Sequence, residues 1–174
     1  MSEADYVLPD VLAPGLQVVF CGTAAGSASA RAGAYYAGRG NRFWSTLHHV
    51  GLTPRELLPR EFLILPSFGL GLTDACKVDY GSDHEIAADA YDIEALEYAI
   101  ATYAPRMLAF TSKRAAVAAF GLRATGQVTY GPQHRTIGGA TTWILPSPSG
   151  AAQRSWSVEP WSALAEAVTG RNPI

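Results

Sequence analysis

The sequence predicts an α/β fold in three layers, α/β/α, with a mainly parallel central sheet. Short apolar runs alternate along the chain with segments of helical apolar spacing, a pattern typical of parallel sheets covered by helices on both faces. The loops after several of these runs are rich in glycine, proline and serine, as ligand-binding loops at strand ends often are. For 174 residues we expect a single domain spanning 1–174, with its core at about 15–170.

Four apolar runs are predicted to be buried strands, although the glycine-rich run at 68–73 could instead be a loop. They are short, rich in β-branched, aromatic or aliphatic residues, and bounded by glycine or proline. The polar segment 78–90 is predicted to be a loop. The predicted strands are residues 17–21, 68–73, 106–110 and 142–145.

Capping residues and apolar spacing predict the helices between these strands. Asn41 lies at the start of one helix, which Gly51 ends, and Asp92 caps another. Thr53, with Pro54 in the first turn, is expected to begin a further helix. Two more helices are predicted at 113–120 and 160–168.

The composition is that of a globular protein, with 48% hydrophobic and 16% charged residues. The net charge of −2 gives no overall basic excess for nucleic acid. Arginines in the acid-poor segments could still converge on one face. The first ten residues include acidic side chains and no apolar run after a basic stretch, so we expect no secretory signal and a cytoplasmic protein that does not enter a membrane.

The cysteine and histidine spacings indicate neither a metal site nor a cluster. Cys21 and Cys76 are predicted to be buried free thiols. No set of histidine, cysteine and carboxylate residues has the spacing of metal ligands. We therefore expect no metal and no cofactor.

Three loops, at 22–26, 73–77 and 146–154, each follow a predicted strand and could therefore share one crevice. The first has small residues between two glycines, which suits close approach of the backbone to a phosphate or a flat base. It lacks the third glycine of a dinucleotide fingerprint and the lysine of a P-loop. Ser149 lacks the flanking glycines of a nucleophile elbow, so an α/β hydrolase fits poorly.

Five motifs occur in a specific order along the chain. They are the strand at 17–21, the loop at 22–26, the aromatic segment 35–44 ending in Asn-Arg-Phe-Trp, Gly-Leu-Thr at 71–73 and Ser-Pro-Ser-Gly at 147–150. This ordered set resembles the mismatch-specific uracil and thymine DNA glycosylases of the uracil-DNA glycosylase superfamily. The resemblance runs from about Val18 to Trp161.

The resemblance implies a uracil-DNA glycosylase-like fold and a monofunctional DNA glycosylase. Such an enzyme hydrolyses the N-glycosidic bond of uracil, especially in G:U mismatches, during base excision repair. It flips the target base out of the helix, most readily at a mismatch. The implied partner is double-stranded DNA containing uracil or a mismatch, and we expect a monomer.

The resemblance also implies roles for individual residues. Tyr36 matches the aromatic residue on which the flipped base stacks, with a core tyrosine as the alternative. For Asn41, contact with the ligand and capping of the following helix stay open. The residues implied in base binding are Gly22, Thr23, Ala24, Tyr36 and Asn41.

The loop at 147–152 matches the family's duplex-facing loop, whose small residues let the backbone and serine hydroxyls contact phosphates. Ala151 stands where family members carry a bulky wedge residue, so Gln153 or Arg154 could take over that task. The residues implied in DNA binding are Ser147, Ser149, Gly150, Ala151 and Arg154.

The chain departs from the family at the position that holds the attacking water. The family has an asparagine there, and this chain has Ala24, whose methyl group cannot hold water. Cleavage develops positive charge on the sugar, so a nearby carboxylate could stabilise the cation and orient water. Asp74, directly after a predicted strand, is the candidate catalytic residue, with a local backbone cap as the alternative. Asp79 and Asp83 are the reserves.

Two functions therefore stay open. The first is the hydrolytic glycosylase, and the second is a catalytically inactive DNA-damage or mismatch binding module with the same fold, which Ala24 favours and Asp74 opposes. A lysine-based lyase is not expected, because neither Lys77 nor Lys113 lies in a matched catalytic position.

Overall fold

The computed structural model describes residues 2–170. In this part of the chain the strands are β1 (Val18–Gly22), β2 (Leu70–Asp74), β3 (Met107–Phe110), β4 (Gly131–Ile137) and β5 (Ala140–Ile144). The α-helices are α1 (Ser27–Ala32), α2 (Phe43–His49), α3 (Ile93–Tyr103), α4 (Lys113–Ala119) and α5 (Glu159–Thr169). The longer 3-10 segments are Pro59–Phe68 and Gly150–Ser155. No helix within residues 2–170 is long and apolar enough to cross a membrane.

The strands form one sheet in the order β2-β1-β3-β5-β4. β1 pairs in parallel with β2 and β3, and β3 pairs in parallel with β5. Only the edge pair of β4 and β5 is antiparallel. The carboxyl ends of β1, β2, β3 and β5 therefore meet at one edge, where ligands bind in such sheets. The predicted three-layer fold with a mainly parallel sheet is confirmed.

Alternate side chains of each strand enter two apolar cores on opposite faces of the sheet. On β1, Val18 and Phe20 face the core that contains α2 and α5, while Val19 and Cys21 face the core that contains α3 and α4. Because both faces are covered, the central strands are apolar throughout rather than alternating. This explains why β1 is detectable in the sequence as a continuous apolar run.

Most predicted elements are confirmed with shifted bounds. All four predicted strands exist, and Asp92 caps α3 by accepting a hydrogen bond from the Ala95 N–H at 2.9 Å. The structure adds two elements that the sequence did not predict, α1 and β4. α1 is six residues of mostly small side chains, and β4 is an exposed, polar edge strand with an irregular register. Neither carries the apolar periodicity on which sequence prediction depends.

The prediction of a helix that begins at Thr53 is wrong. The Thr53 hydroxyl donates to the Arg55 carbonyl at 2.8 Å instead of accepting a hydrogen bond from a backbone N–H. The chain runs through turns until the 3-10 helix begins at Pro59. There the Glu61 carboxylate accepts from the Leu58 N–H at 2.8 Å and supplies the cap. Threonine hydroxyls make such local turn contacts as readily as helix caps.

The segment before β1 runs alongside β2. Val11 and Leu72 exchange backbone hydrogen bonds of 2.8 and 2.9 Å. A Cβ at Gly71 would lie 2.6 Å from the Val11 carbonyl oxygen and 2.7 Å from Leu16 Cδ1. Glycine at position 71 therefore permits this close approach, which places Asp10 beside the carboxyl end of β2.

Candidate active site

Asp74 is the last residue of β2 and lies beside the end of β1. Its Cα is paired in register with Gly22, and the residue is 6% exposed. A Cβ at Gly22 would lie 2.5 Å from Oδ1 of Asp74. The carboxylate thus lies over Gly22, and the missing side chain there provides its space. Within residues 2–170 no protein donor hydrogen-bonds to this carboxylate.

Burial raises the pKa of Asp74 from 3.8 to about 7, because the ionised form loses hydration. The positive charge of Lys77 acts in the opposite direction, and the negative charge of Asp10 adds to the increase. A carboxyl group with this pKa exchanges a proton readily near neutral pH, which suits general-base chemistry. Buried, perturbed carboxyl groups in a crevice are a common feature of active sites.

The Tyr36 hydroxyl lies on the same side of Gly22 as the Asp74 carboxylate. The hydroxyl oxygen is 3.4 Å from the position that a Cβ of Gly22 would occupy. The Tyr36 ring is stacked on Phe43, with centroids 3.9 Å apart and planes at 18°. The φ of Tyr36, 52°, is in the left-handed region, which non-glycine residues rarely adopt and which costs about 1–3 kcal/mol. Packing against Phe43 holds the ring beside Asp74.

Thr111 is a residue of this crevice that sequence reasoning missed. It directly follows β3 and is buried, and its hydroxyl lies 3.0 Å from that of Tyr36. It also donates to the carbonyl of Cys21 at 3.4 Å. Burial and the Asp74 carboxylate raise the pKa of Tyr36 well above its ordinary value, so the phenol stays protonated and can donate. A polar Thr-Ser pair after an apolar strand is the signal that could have identified this position.

The loop at 22–26 is joined to the segment after β2 by backbone hydrogen bonds. The carbonyls of Gly22 and Thr23 accept from the N–H groups of Ala75 and Cys76 at 2.9 and 2.7 Å. The Thr23 hydroxyl is 3.1 Å from that of Ser112, at the start of α4. Ala24 is half-buried in this loop and presents only a methyl group. The structure thus brings together two of the three loops that were expected to share a crevice.

Asn41 makes the capping contact that the sequence allowed. Its Oδ1 accepts a hydrogen bond from the Phe43 N–H at 2.9 Å, at the start of α2. The neighbouring Arg42 N–H donates to the Pro148 carbonyl at 2.8 Å. This contact joins the segment that carries Tyr36 and Asn41 to the loop after β5, so the third loop reaches the crevice through α2.

The loop after β5 is held by its own serine hydroxyls. Ser147 Oγ accepts from the Ser149 N–H and Ser149 Oγ accepts from the Ala151 N–H, both at 3.3 Å. Gly150 packs tightly, because a Cβ there would lie 3.1 Å from the Arg39 carbonyl oxygen. The side chains exposed along the 3-10 helix that follows are Ala151, Gln153, Arg154 and Ser155.

The two reserve carboxylates lie in different surroundings from Asp74. Asp79 is exposed, and its Oδ1 accepts from the Tyr80 N–H at 2.8 Å. Asp83 is half-buried on the same loop, and its charge contributes to raising the pKa of Arg114. Of the three candidates, Asp74 is the one placed over Gly22 and beside Tyr36.

The state of the two thiols follows from their burial. Cys21 and Cys76 are free and buried, as predicted. Burial raises the pKa of Cys21 far above its ordinary value, so it stays a thiol. Across residues 2–170 no group of three or more histidine, cysteine, aspartate or glutamate side chains is arranged to hold a metal ion.

A buried ion cluster lies around Thr73 near the carboxyl end of β2, and it was also missed. Lys77 Nζ is 2.7 Å from Asp10 Oδ1, with side chains 4% and 11% exposed. Thr73 Oγ1 donates to the same oxygen of Asp10 at 2.7 Å and accepts from Lys77. The Tyr6 ring covers the ammonium group, with its centroid 5.2 Å from Nζ. Asp10 and Lys77 are 67 positions apart, so no local pattern links them.

The mainly parallel α/β sheet thus carries a buried carboxylate, a stacked tyrosine and a serine-rich loop at one edge. The sequence profile of the uracil DNA glycosylase superfamily matches residues 9–165. This chain belongs to the uracil DNA glycosylase superfamily. Membership supports a uracil-DNA glycosylase role and action on DNA.

A solved structure shares this fold. It is the solution NMR structure of a proposed uracil DNA glycosylase from Methanosarcina acetivorans, with a TM-score of 0.61 and 21% sequence identity. The match covers 92% of this chain and 96% of that protein. At this identity the likeness shows a common fold over nearly the whole length of both chains.

Proposed function

We propose that this protein is a monofunctional DNA glycosylase that hydrolyses the N-glycosidic bond of uracil in double-stranded DNA, with G:U mismatches as preferred substrates. The class follows from membership of the superfamily, and the preference for mismatches rests on the ordered motifs of the mismatch-specific members. The observation that carries the mechanism is the Asp74 carboxylate, which is buried over Gly22 with no protein donor in the described chain. We also propose that it acts as a monomer.

In this mechanism the Asp74 carboxylate takes the role of the family's water-positioning asparagine, because Ala24 occupies that asparagine's position in this chain. The ionised carboxylate accepts a proton from a water molecule, and the water oxygen forms a bond to C1′ of the deoxyribose. The C1′–N1 bond breaks, and its electron pair leaves with the uracil as an anion. Until it takes up that proton, the ionised carboxylate stabilises the positive charge that develops on the sugar as the C1′–N1 bond breaks. The products are the free base and an abasic site in an uncut strand.

Tyr36 and the loop at 22–24 are proposed to hold the flipped base. Tyr36 is backed by Phe43, so a base could stack on its other face, a contact worth about 1–3 kcal/mol. The contacts from Gly22, Thr23 and Ala24 would come from the backbone, since their side chains are small. Unstacking a base costs a few kcal/mol and least at a mismatch, which favours G:U over A:U pairs.

The loop after β5 is proposed to contact the DNA backbone. Ser147 and Ser149 accept local N–H groups, which leaves their hydroxyl protons to donate to phosphates. Arg154 is exposed on the same loop and can pair with a phosphate. Gly150 and Ala151 allow close approach of the backbone, and Gln153 or Arg154 would enter the space that the base leaves.

The test is single-turnover base release from a duplex with one uracil opposite guanine. Abasic sites are revealed by alkali in parallel reactions with wild type, Asp74→Asn and the exposed control Asp79→Asn. Asp74→Asn keeps the shape of the side chain and removes its base, so we expect base release to fall by about a hundredfold or more, or about 2.7 kcal/mol. Asp79→Asn is expected to retain wild-type activity.

Other outcomes would replace the proposal. Equal activity of wild type and Asp74→Asn, with loss in the Asp79 or Asp83 variants, would move the catalytic carboxylate to that loop.

Ala24 favours a second candidate function, a mismatch-binding module without catalysis. Absence of base release from uracil and from a panel of other deaminated bases, together with retained affinity for mismatched duplex, would establish that module.

A further inference from the structure

Side-chain oxygens surround the space in front of Gly22. Apart from its chain neighbours, the three atoms nearest to a Cβ built there are Asp74 Oδ1 at 2.5 Å, the Tyr36 hydroxyl oxygen at 3.4 Å and Thr111 Oγ1 at 3.7 Å. They come from three parts of the fold, the end of β2, the segment before α2 and the residue after β3. The proposed mechanism uses the carboxylate and the tyrosine ring but neither of the two hydroxyl groups.

The two hydroxyl groups form a hydrogen-bonded chain with a defined direction. The Thr111 hydroxyl lies 3.0 Å from that of Tyr36 and 3.4 Å from the Cys21 carbonyl oxygen. A carbonyl oxygen can only accept, so Thr111 donates its single hydroxyl proton to Cys21. The Tyr36 hydroxyl therefore donates to Thr111, and the Tyr36 oxygen is left to accept a proton from a further partner.

Asp74 and Tyr36 are placed so that a small molecule can join them. Within residues 2–170 no hydrogen bond links the two side chains directly, although an oxygen of each lies within 3.4 Å of the same point. An ionised carboxylate only accepts, and the Tyr36 oxygen has already committed its proton, so the joining molecule must donate twice. Water has two protons to donate, and such bridging waters are common in active sites.

We propose that the Tyr36 hydroxyl is the second holder of the attacking water, and that Thr111 is a positioning residue that orients this hydroxyl. This inference rests on the proposed function, since it concerns the same reaction. The water donates one proton to Asp74 and the other to the Tyr36 oxygen, so its lone pairs face C1′ of the sugar.

The reaction then moves a single proton within this arrangement. The water proton on the Asp74 side passes to the carboxylate as the water oxygen bonds to C1′. The electron pair of the C1′–N1 bond leaves with the uracil. Tyr36 and Thr111 keep their own protons throughout, and their part is to fix where the water oxygen lies before the bond forms.

The fold holds the two hydroxyl groups in this arrangement. Thr111 is 4% exposed, and its N–H also donates to the Cys21 carbonyl at 2.9 Å, which fixes it beside the end of β1. Tyr36 is fixed by stacking on Phe43. The hydroxyl is at the edge of the ring, whereas the base is proposed to stack on its face, so one side chain can make both contacts.

The experiment measures single-turnover base release from the G:U duplex at saturating concentrations of the full-length protein. Tyr36→Phe removes the hydroxyl and keeps the stacking ring. Thr111→Val removes the second hydroxyl at nearly the same volume, and Thr111→Ser keeps it. Affinity is measured separately, by fluorescence anisotropy, on a duplex with 2′-fluoro-deoxyuridine, whose fluorine disfavours positive charge on the sugar and so prevents cleavage.

Thr142→Val is the matched control for Thr111→Val. Thr142 is also a buried threonine, and its hydroxyl donates to the Arg135 carbonyl at 2.6 Å. Loss of a buried threonine hydroxyl is therefore common to both variants, and only one of them affects the chain to Tyr36. Circular dichroism establishes that each variant is folded, and if Thr111→Val were not, Tyr36→Phe would still decide the role of the hydroxyl.

We expect Tyr36→Phe and Thr111→Val each to lower the saturated rate by about tenfold, the size typical for loss of one hydrogen bond. Affinity for the fluorinated duplex should stay that of wild type. The double variant should be no slower than the slower single variant, because both act through one chain. Thr111→Ser and Thr142→Val should keep the wild-type rate.

The remaining outcomes separate this inference from the proposed function. Wild-type rates in Tyr36→Phe and Thr111→Val would overturn the inference and leave the glycosylase in place. A loss of affinity that accounts for the lost rate would also overturn it, and would assign the hydroxyl to the base. Losses that multiply in the double variant, or equal losses in Thr111→Val and Thr111→Ser, would show separate structural effects. No base release by wild type would overturn both proposals.

Discussion

At the scale of single residues, Asp74 meets two opposing requirements. The proposed mechanism needs an ionised carboxylate, whereas burial over Gly22 favours the neutral form and raises the pKa to about 7. Near neutral pH the buried, unpaired Asp74 carboxylate therefore lowers the stability of the folded protein. Strained or destabilised groups of this kind are concentrated at functional sites.

The stability of the protein should show this conflict. The pKa of Asp74 is higher in the folded chain than its ordinary 3.8, so the folded state binds more protons and stability falls as pH rises from about 4 to about 7. Asp74→Asn removes the ionisation, so the variant should be more stable than wild type at pH 8, by up to about 4 kcal/mol for a shift of about three pH units.

Urea unfolding at pH 4, 6 and 8 measures this difference. At pH 4 the two proteins should have similar free energies of unfolding, because Asp74 is then protonated in the folded state. A difference that is the same at all three pH values would show that Asp74 is not the buried acid described.

Gly22 is the second residue with a sharp prediction. Alanine there would bring Cβ to 2.5 Å from Asp74 Oδ1, which forces the carboxylate aside. Displacement of a catalytic group by about 1 Å can cost about a hundredfold in rate, so we expect base release by Gly22→Ala to fall by about that factor while the protein stays folded.

Gly126→Ala provides the control for Gly22→Ala, because a Cβ at Gly126 meets nothing within 4 Å. Circular dichroism and single-turnover base release on both variants give the comparison. Full activity of Gly22→Ala would contradict the placement of the Asp74 carboxylate over this glycine.

At the scale of elements, the 3-10 helix Gly150–Ser155 carries the exposed side chains of the proposed DNA-contacting loop. The affinity of the protein for DNA should depend on salt through a small number of phosphate contacts, since the net charge of the chain is −2. Arg154→Ala should weaken binding to all sequences alike and reduce the slope of log K against log salt by about 1. Fluorescence anisotropy with a labelled duplex between 50 and 200 mM salt, roughly the range over which such slopes are resolved, measures it.

The matched control for Arg154→Ala is Arg123→Ala, because Arg123 is an exposed arginine in the loop that follows α4. Its slope should equal that of wild type. Equal slopes for wild type and Arg154→Ala would show that Arg154 makes no phosphate contact, and Gln153 would then be the remaining candidate side chain on this loop.

At the scale of the whole molecule, local sequence patterns were enough to predict the sheet and much of the crevice. The apolar runs that became β1, β2 and β3 are buried on both faces, so each shows in the sequence without knowledge of its partners. The order of motifs along the chain then placed Gly22, Tyr36 and Asp74 near the same sheet edge. The structure brings these three residues together.

The missed features depend on contacts between distant parts of the chain. β4 is an edge strand whose pairing with β5 is set by the fold, because its own residues are polar and exposed. Asp10 meets Lys77 only after the first segment has packed along β2 against Gly71. Thr111 joins the site because β3 lies next to β1. Helix and strand periodicity carry no information about such pairings.

The measurement that tests the central claim most directly is the pH dependence of single-turnover uracil release from a G:U duplex, for wild type and Asp74→Asn. With Asp74 as the base, the wild-type rate should rise with pH through a midpoint near 7, where its carboxyl group ionises. Asp74→Asn should be slower by about a hundredfold and show no such rise. A wild-type rate that is independent of pH between 5 and 9, or an Asp74→Asn variant that keeps the wild-type profile, would contradict the claim that this buried carboxylate drives the reaction.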